Sequence, residues 1–115
     1  GNRIRMDRFA QLESWLRNGA IDQRKTAIDE LAKPPSDQAV PILKQAAINA
    51  DFVGRRFAVM GLGNHRTPES LQALKDLLSS ETDDNVLGEI ANSLFEFGDE
   101  AIPLLQQLFE RNHNW

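Results

Sequence analysis

The sequence predicts an all-α fold in which pairs of antiparallel helices stack into an α-solenoid. Apolar residues recur with the i, i+3 and i+7 spacing of one helix face, and the same set recurs at an offset of 31 residues. Proline, glycine and capping residues divide the chain into segments of helical length, and no segment is a credible strand. A fixed period of this size is typical of repeat proteins, whose helical pairs bury their apolar faces by stacking.

The repeated register has four apolar positions, each filled once in every segment. The stretches before three of these segments repeat more loosely, so each unit is a first helix followed by a second helix. Four second helices and three first helices make about three and a half units. The four positions of the second helices are Phe9/Val40/Leu71/Ile102, Leu12/Leu43/Leu74/Leu105, Trp15/Ala46/Leu77/Leu108 and Leu16/Ala47/Leu78/Phe109, and those of the first helices include Ala27/Ala58/Ile90 and Leu31/Leu62/Leu94.

The chain divides into a leader, one repeat domain and a tail. Residues 1–6 have no periodic pattern and are expected to be a disordered leader or a non-native remnant, with Met6 as the candidate native start. Residues 7–111 form the predicted repeat domain. Residues 112–115 form a tail that is polar apart from Trp115.

Seven helices are expected, each bounded by breaking or capping residues. Asp7 is positioned to cap the first helix, and Gly19 is expected just past its end in the left-handed conformation. Ser36 or Asp37 is expected to cap the third helix and Thr67 the fifth. Because the loops are short, successive helices should be antiparallel neighbours. The predicted helices cover about Asp7–Arg17, Asp22–Ala32, Asp37–Asn49, Phe52–Leu62, Pro68–Ser80, Val86–Phe97 and Glu100–Arg111.

Charge is distributed unevenly along the chain. The formal net charge is −4, but residues 1–57 carry +3 and residues 58–115 carry −7. Such asymmetry can steer a partner along the molecule or set head-to-tail contacts. Drift of surface charge without function is an equally good explanation. The chain has no cysteine and no apolar run near the roughly 18 residues that span a bilayer, so we expect a cytoplasmic protein with no membrane partner.

Few residues have a catalytic or metal-binding pattern. His65 and His113 lie at no metal-ligand spacing from each other, and His65 is expected to be structural or solvated. Asp83 and Asp84 precede a helix, where capping and the helix dipole explain two acids without catalysis. The chain has neither a phosphate-binding glycine loop nor a serine with a suitable histidine and acid around it. We therefore expect no catalytic residue, no metal, no cofactor and no enzymatic activity.

Charged residues at corresponding places in successive units predict a ladder of contacts between repeats. Asp51 and Asp83 open two successive units, and Arg55 lies one helical turn after Asp51. In such a ladder each arginine bonds to an acid of a neighbouring unit and sets the stacking angle. Exposed pairs contribute only about 0–1 kcal/mol, so Arg55→Ala is expected to lower stability slightly. A binding role for these residues is the alternative.

One polar pair per unit lies between the apolar positions of the second helices. These pairs predict a ridge along the stacked second helices, a surface on which repeat proteins bind extended partners. The alternative is that they form only the solvated face of amphipathic helices. The ridge residues are Glu13 and Ser14, Lys44 and Gln45, Lys75 and Asp76, and Gln106 and Gln107.

Large apolar residues mark further candidate contacts. Trp15 stands where the other units carry Ala or Leu, in a second helix with no first helix before it. Either Trp15 covers the N-terminal end of the stack, or this end is open and docks on another chain, as in a homodimer. Phe52, Phe95 and Trp115 would mark a contact patch if they clustered at the surface.

The segment from Gly61 to Ser70 resembles a known repeat. Its Gly-Leu-Gly-Asn and Thr-Pro-Glu-Ser sequences, followed by a leucine-rich helix, are similar to the short HEAT-like repeat of the phycobilisome lyase type. The resemblance covers about residues 7–111, with departures at Leu87, which replaces Arg, and Phe95, which replaces Gly. The matching residues are Asp51 and Asp83 for the leading Asp, Arg24 and Arg55 for the Arg, Val86 for the Val, and Gly63, Gly98 and Asp99 for the turns.

The resemblance implies stacked helical pairs that form a protein-binding surface. Some members of that family are subunits of enzymes that attach bilins to phycobiliproteins, and those members are longer than this chain and usually act in pairs. We interpret the chain as a non-catalytic protein–protein interaction module, an adaptor or scaffold. The alternative is a lyase-type or chaperone-like subunit that acts on a phycobiliprotein together with a partner chain.

Nucleic-acid binding by the basic N-terminal half is a third possibility, which the charge pattern does not favour. Residues 1–57 contain ten Lys and Arg, but seven Asp and Glu offset them. This is a weak electrostatic footprint for a phosphate backbone. We therefore expect a protein partner and no nucleic acid.

Overall fold

The computed structural model describes the backbone of residues 2–111 and the side chains of residues 7–110. This part of the chain contains seven α-helices, one short 3-10 helix and no strand, which confirms the all-α prediction. Loops of two to four residues join the first six helices. The helices are α1 (Asn2–Asn18), α2 (Ile21–Leu31), α3 (Ser36–Asn49), α4 (Phe52–Asn64), α5 (Pro68–Ser80), α6 (Asp84–Phe95) and α7 (Ile102–Arg111), with the 3-10 helix at Gly98–Ala101.

The helices pack in two layers, as expected for an α-solenoid. The first helices α2, α4 and α6 contact one another in chain order, and the second helices α1, α3 and α5 do the same. Helix α7 packs against α6 at the C-terminal end. Helix α4 is central, since it contacts α1, α2, α3, α5 and α6. The stack is elongated, with principal extents of 47 × 26 × 19 Å.

The repeated apolar register forms one core between the two layers. Burial of each leucine side chain contributes about 1.5–3 kcal/mol, and no unit supplies enough of them alone. The first-helix positions are buried in all three units that have them. The largest fully buried side chains are Leu12, Leu16, Leu31, Leu43, Leu62, Leu74, Leu87, Ile90, Leu94, Leu108, Val59 and Val86.

Side-chain caps hold the starts of α4, α5 and α6. Asp51, Thr67 and Asp83 each accept a hydrogen bond from a backbone N–H two or three residues further on, at 2.8–3.1 Å. The predicted cap at Thr67 is therefore confirmed. The predicted cap at Ser36 or Asp37 is wrong, because α3 already begins at Ser36 and the preceding Pro35 has no side-chain acceptor.

Helix α1 begins earlier than the sequence predicted. It starts at Asn2, so Asp7 lies inside the helix and does not cap it. The backbone of residues 2–6 continues α1, where the sequence predicted a leader without periodic structure.

Glycine ends α1 for a different reason from the one expected. Among the described residues only Gly98 has a positive φ, +66°, so the left-handed conformation predicted for Gly19 is wrong. A Cβ at Gly19 would lie 2.6 Å from the carbonyl oxygen of Trp15. The tight bend after α1 therefore requires a residue without a side chain.

The C-terminal helix is shorter than predicted. The chain first forms the 3-10 turn at Gly98–Ala101, and α7 begins only at Ile102. The predicted tail, residues 112–115 with His113 and Trp115, lies outside the described residues. Within the described part of the chain, no helix combines the length and the hydropathy needed to cross a bilayer.

Candidate partner-binding surface

A cleft of about 510 Å³ separates the second helices α3 and α5. Val40, Pro41 and Lys44 line it from α3, and Glu69 lines it from the first turn of α5. Val40 is buried in the core, whereas Pro41 and Lys44 are exposed. The cleft thus combines apolar surface with the cation of Lys44 and the carboxylates of Asp37 on α3 and Glu69 on α5.

A second cleft, of about 430 Å³, repeats this arrangement between α5 and α7. Leu71 and Lys75 line it from α5, and Glu100 and Leu104 line it from the start of the next unit. Leu71, Lys75 and Glu100 each lie 31 residues after the corresponding residue of the α3/α5 cleft, Val40, Lys44 and Glu69 in turn. The surface of the second helices therefore repeats a lysine and a glutamate at the period of the unit.

The α3/α5 cleft continues along the helices as a shallow groove. Lys44 lies where the two parts meet, and Ile48 and Asp76 line the continuation. Ile48 is 60% exposed, the largest exposure of any apolar side chain in this groove. An apolar group of a partner can be buried here without any change in the fold.

The predicted polar ridge lies at the surface, although its members differ in their surroundings. Glu13 is half-buried and the other seven ridge residues are exposed. The Lys44–Gln45 pair lines the α3/α5 cleft, while Lys75 and Asp76 belong to neighbouring clefts. Gln106 and Gln107 are exposed on α7.

Trp15 does not belong to this surface. It is half-buried against the core, and the guanidinium of Arg8 lies 5.2 Å from the centre of its ring. Arg8 also donates to both carboxylate oxygens of Glu30, at 2.9 and 2.5 Å. On α1 the exposed residues include Ala10, Ser14 and Arg17. Trp15 thus packs onto the stack, as in the first of the two alternatives, and a homodimer through this end stays a prediction.

Two arginines join successive units in the same way. Arg24 of α2 donates to both carboxylate oxygens of Asp51, at 2.6 and 3.0 Å, and to the carbonyl oxygen of Gly19 at 2.7 Å. Asp51 in turn caps α4 by accepting from the N–H of Gly54. The hydrogen bonds from Arg24 and from this N–H lower the pKa of the Asp51 carboxyl to about 2.

Arg55 repeats these contacts one unit later. It donates to both carboxylate oxygens of Glu81 at 3.0 Å and to the carbonyl oxygen of Ala50 at 3.0 Å. The predicted pairing with Asp83 is wrong, because Asp83 caps α6 and Glu81 takes its place. The Arg55–Glu81 pair is not exposed, since the side chain of Glu81 is 6% accessible and that of Arg55 is 23% accessible, whereas Asp51 of the other pair is 56% accessible.

A family model described as HEAT repeats matches residues 9–94 and 48–115. Together these matches cover nearly the whole described stack. The chain belongs to the HEAT-repeat family. Neither a curated protein nor a solved structure matches it. The matching model describes HEAT repeats in general and does not name the phycobilisome lyase type.

Sequence reasoning did not identify three residues that the HEAT repeats bring into the site. Glu81 accepts hydrogen bonds from Arg55. Glu69 lines the same cleft as Lys44, and Glu100 lines the same cleft as Lys75. The sequence does contain signals for these residues. Glu100 follows Glu69 by the repeat period of 31 residues, and the two arginine–acid pairs have nearly equal separations of 27 and 26 residues. The predicted ridge included only the two polar residues between the apolar positions of each second helix. Glu69 and Glu100 lie at the starts of the predicted second helices, before those positions.

His65 fastens the second HEAT repeat to the first. Its Nε2 donates to the carbonyl oxygen of Leu31 over 2.6 Å, since a carbonyl can only accept. Its Nδ1 lies 2.8 Å from the hydroxyl of Ser36, which donates to it in the neutral ring. His65 is 5% exposed. Of the two predicted roles, structural or solvated, the structure therefore supports the structural one.

Groups of side chains suited to chemistry are sparse in the described part of the chain. No group of three or more His, Cys, Asp or Glu is placed there to hold a metal ion. The predicted carboxylate pair at Asp83 and Asp84 lies at the start of α6, where Asp83 accepts two backbone N–H groups. The surface offers grooves and paired charges, which are suited to binding.

Proposed function

We propose that this HEAT-repeat protein is a non-catalytic protein-binding module that holds an extended segment of a partner across its second helices. The observation that carries the proposal is the recurrence of a lysine and a glutamate, on facing helices beside an apolar cleft, at the period of the repeat. A surface whose charges recur with the repeat is suited to a chain that crosses the repeats in order.

The dimensions define the kind of segment that fits. Neighbouring helices lie about 8–10 Å apart, and an extended chain in the polyproline II conformation advances about 3.1 Å per residue with three residues per turn. About three residues of the partner would therefore pass each HEAT repeat. Apolar side chains at every third position would enter the α3/α5 and α5/α7 clefts, and charged side chains between them would pair with the lysines and glutamates.

The test compares partner capture by three versions of the full chain. In the double variant Lys44→Glu/Lys75→Glu both cleft cations are reversed, whereas Lys25→Glu reverses an exposed cation on the first helix α2 as the matched control. Pull-downs from the source cell extract, read by mass spectrometry, should yield a protein that wild type and Lys25→Glu retain and the double variant loses. A partner held equally by all three versions would refute binding in the clefts.

A cytoplasmic location and the absence of nucleic acid among the partners belong to the same proposal. Among the described residues of the N-terminal half, Arg8, Arg17, Arg24, Arg55 and Arg56 are paired with acids of the same chain, so half of its ten Lys and Arg residues already have an acidic partner. Fractionation of the cells and DNA binding at low salt test these two points. Tight, salt-sensitive DNA binding would contradict the proposal.

A lyase-type or chaperone-like subunit acting on a phycobiliprotein is the second candidate. The Gly61–Ser70 segment, which resembles the lyase-type repeat, favours it. A subunit of this kind would need a partner chain to complete its function. Visible absorbance of the captured material distinguishes the two: a coloured protein, lost in the Lys44→Glu/Lys75→Glu variant, would support the second candidate, and a colourless one would support the adaptor.

A further inference from the structure

The C-terminal end of the stack presents apolar side chains that nothing in the described structure covers. We define the end face as Phe95 of α6 with Ile102 and Phe109 of α7; these side chains are 62%, 46% and 48% exposed. In the repeat register Phe109 corresponds to Leu16, Ala47 and Leu78. Those three are at most 2% exposed, because the following unit covers them. The Phe109 position is therefore buried in each earlier unit and exposed only in the last one.

The end face is not shaped for another unit of the same geometry. Phe95 corresponds to Gly63 of α4, against which Ser93 of α6 packs so closely that a Cβ on Gly63 would lie 2.8 Å from the Ser93 hydroxyl. A helix stacked on α6 as α6 stacks on α4 would collide with the Phe95 ring. The ladder also stops here, since Leu87 stands at the position of Arg24 and Arg55. Something of different shape fits this surface.

A second copy of the chain is a poor match for the end face. The exposed residues on the described part of α1 include Ala10, Ser14 and Arg17, and none of the exposed ones is apolar and larger than alanine. A symmetric contact between two end faces would bring like charges together, which is unfavourable. The symmetric arrangement thus lacks charge complementarity, and the head-to-tail arrangement lacks a large apolar side chain on the described part of α1 that could cover the end face.

The charge around the end face indicates the partner's chemistry. Residues 76–110 contain nine Asp and Glu and neither Lys nor Arg. Glu81 and Glu89 are paired with arginines of α4. Glu96, Asp99 and Glu110 are exposed and form no ion pair among the described residues. Each of these three lies within three residues of an end-face residue along the chain, and we call these flanking carboxylates the acidic rim of the patch.

We propose that the end face docks a basic amphipathic helix of another protein. The apolar stripe of that helix covers Phe95, Ile102 and Phe109, and its Lys and Arg residues pair with Glu96, Asp99 and Glu110. This is the helix-in-groove mode of recognition, with electrostatic complementarity supplied by the rim. The end face shares no residue with the clefts described above, so this proposal stands or falls independently of the proposed function.

The probe is a labelled, end-capped Leu/Lys peptide of about 15 residues, long enough to form an amphipathic helix. The control is the same peptide with Glu at every Lys position. Fluorescence anisotropy with the full chain should detect the Leu/Lys peptide and not the Leu/Glu peptide. Raising the salt from about 50 to about 500 mM should weaken binding several-fold, because exposed charges are screened.

Two variants with matched controls locate the binding. Phe95→Ser should weaken binding of the Leu/Lys peptide about tenfold, as for a central apolar contact, whereas Met60→Ser, at an exposed apolar residue of α4, should leave it unchanged. The double variant Asp99→Lys/Glu110→Lys should also weaken it, and Asp29→Lys on α2 should have little effect. Circular dichroism checks that each variant is folded. Phe95 and Asp99 are exposed, so their substitution leaves the core intact.

Three outcomes would overturn the proposal. The first is that the wild-type chain does not bind the Leu/Lys peptide, and the second is that it binds both peptides equally. The third is that the Phe95→Ser and Asp99→Lys/Glu110→Lys variants bind the Leu/Lys peptide with the affinity of the wild type. Sedimentation velocity supplies a further check. Concentration-dependent self-association that Phe95→Ser abolishes would assign the end face to a second copy and refute the basic partner.

Discussion

At the scale of single residues, Arg24 and Arg55 perform the same task in successive HEAT repeats. Each guanidinium donates to a carbonyl oxygen five residues upstream, at the entrance of its own helix, and to both oxygens of an acid in the loop that opens the next unit. The planar guanidinium suits this task, because it presents several donors in a fixed fork. One arginine side chain thereby fixes the start of its own helix and the position of the next unit relative to that helix.

Replacement of Arg55 by alanine is expected to lower the free energy of unfolding by about 2–4 kcal/mol. The variant removes the arginine from the Glu81 carboxylate, which is 6% accessible and keeps the N–H of Asp83 as a donor, and loss of the opposite charge from a buried pair is costly. Urea unfolding followed by circular dichroism measures the change. Arg17→Ala is the control, because its ion pair with Glu13 is exposed and 3.9 Å long and is worth about 0–1 kcal/mol. Equal losses in the two variants would show that the ladder does not stabilise the stacking.

The protonation of Asp51 should make stability fall in acid. Its folded-state pKa of about 2 lies below the ordinary value of 3.8, so the unfolded state binds the proton first as the pH falls. The stabilisation is therefore complete above about pH 4 and is lost as the pH falls from there towards 2. Unfolding curves of wild type and Asp51→Asn between pH 6 and about pH 2 should converge at the acid end. Asp29→Asn, at an exposed acid of α2, should instead follow the wild type; curves of Asp51→Asn that stay parallel to the wild type would contradict the assignment.

At the scale of helices, the contact of α4 with α6 depends on a glycine. A Cβ on Gly63 would lie 2.8 and 2.9 Å from the hydroxyl and Cβ of Ser93. The hydroxyl of Ser93 also donates to the carbonyl oxygen of Val59 over 3.0 Å, so it is not free to move aside. Arg56 of α4 and Glu89 of α6 add an ion pair across the same contact. The spacing of these two first helices is thus set by a missing side chain.

The pair Gly63→Ala and Gly88→Ala tests this spacing. Gly63→Ala is expected to destabilise the protein by about 1–3 kcal/mol, because overpacking must push α6 away from α4. Gly88→Ala places the same methyl group on α6 where no atom lies within 4 Å, so the better helix propensity of Ala should stabilise by about 0.5–1 kcal/mol. Thermal and urea unfolding give both values. If Gly63→Ala were as stable as Gly88→Ala, the close approach of the two helices would be disproved.

At the scale of the whole molecule, the stack is unlike at its two ends. The exposed residues on the described part of α1 are small or polar, such as Ala10, Ser14 and Arg17, whereas Phe95 and Phe109 are exposed at the acidic C-terminal end. Charge follows the same polarity, with +3 in residues 1–57 and −7 in residues 58–115. The two proposed binding surfaces lie on different parts of this shape, one along the second helices and one at the acidic end.

Hydrogen exchange should reveal a gradient of stability along the stack. Helix α4 contacts five other helices, whereas α7 packs mainly against α6 and the preceding 3-10 turn. Repeat proteins are stabilised by nearest-neighbour contacts, so units at the ends open more readily than those at the centre. Amide protons of α4 should therefore exchange most slowly and those of α7 fastest. Equal protection in α4 and α7 would indicate that the repeats unfold as a single cooperative unit.

The sequence by itself was sufficient for the helices, the period and most of the core. The apolar register predicted Leu12, Leu43, Leu74 and Leu105 as inward residues, and all four are buried. Helix α5 has its predicted bounds, because Thr67 and Pro68 are strong local signals. These features depend on residues close together in the chain, whose spacing and capping chemistry are visible without any knowledge of neighbours.

Only the tertiary structure decided which residues meet across units. It paired Arg55 with Glu81 instead of Asp83, joined His65 to Leu31 and Ser36, and brought glutamates opposite the lysines of the clefts. It also left Phe109 exposed, although its pattern matches that of buried residues. The physical reason is that a period states that units repeat, whereas the angle and distance at which they stack depend on contacts between residues far apart in the chain, and burial at an end depends on what lies beyond it.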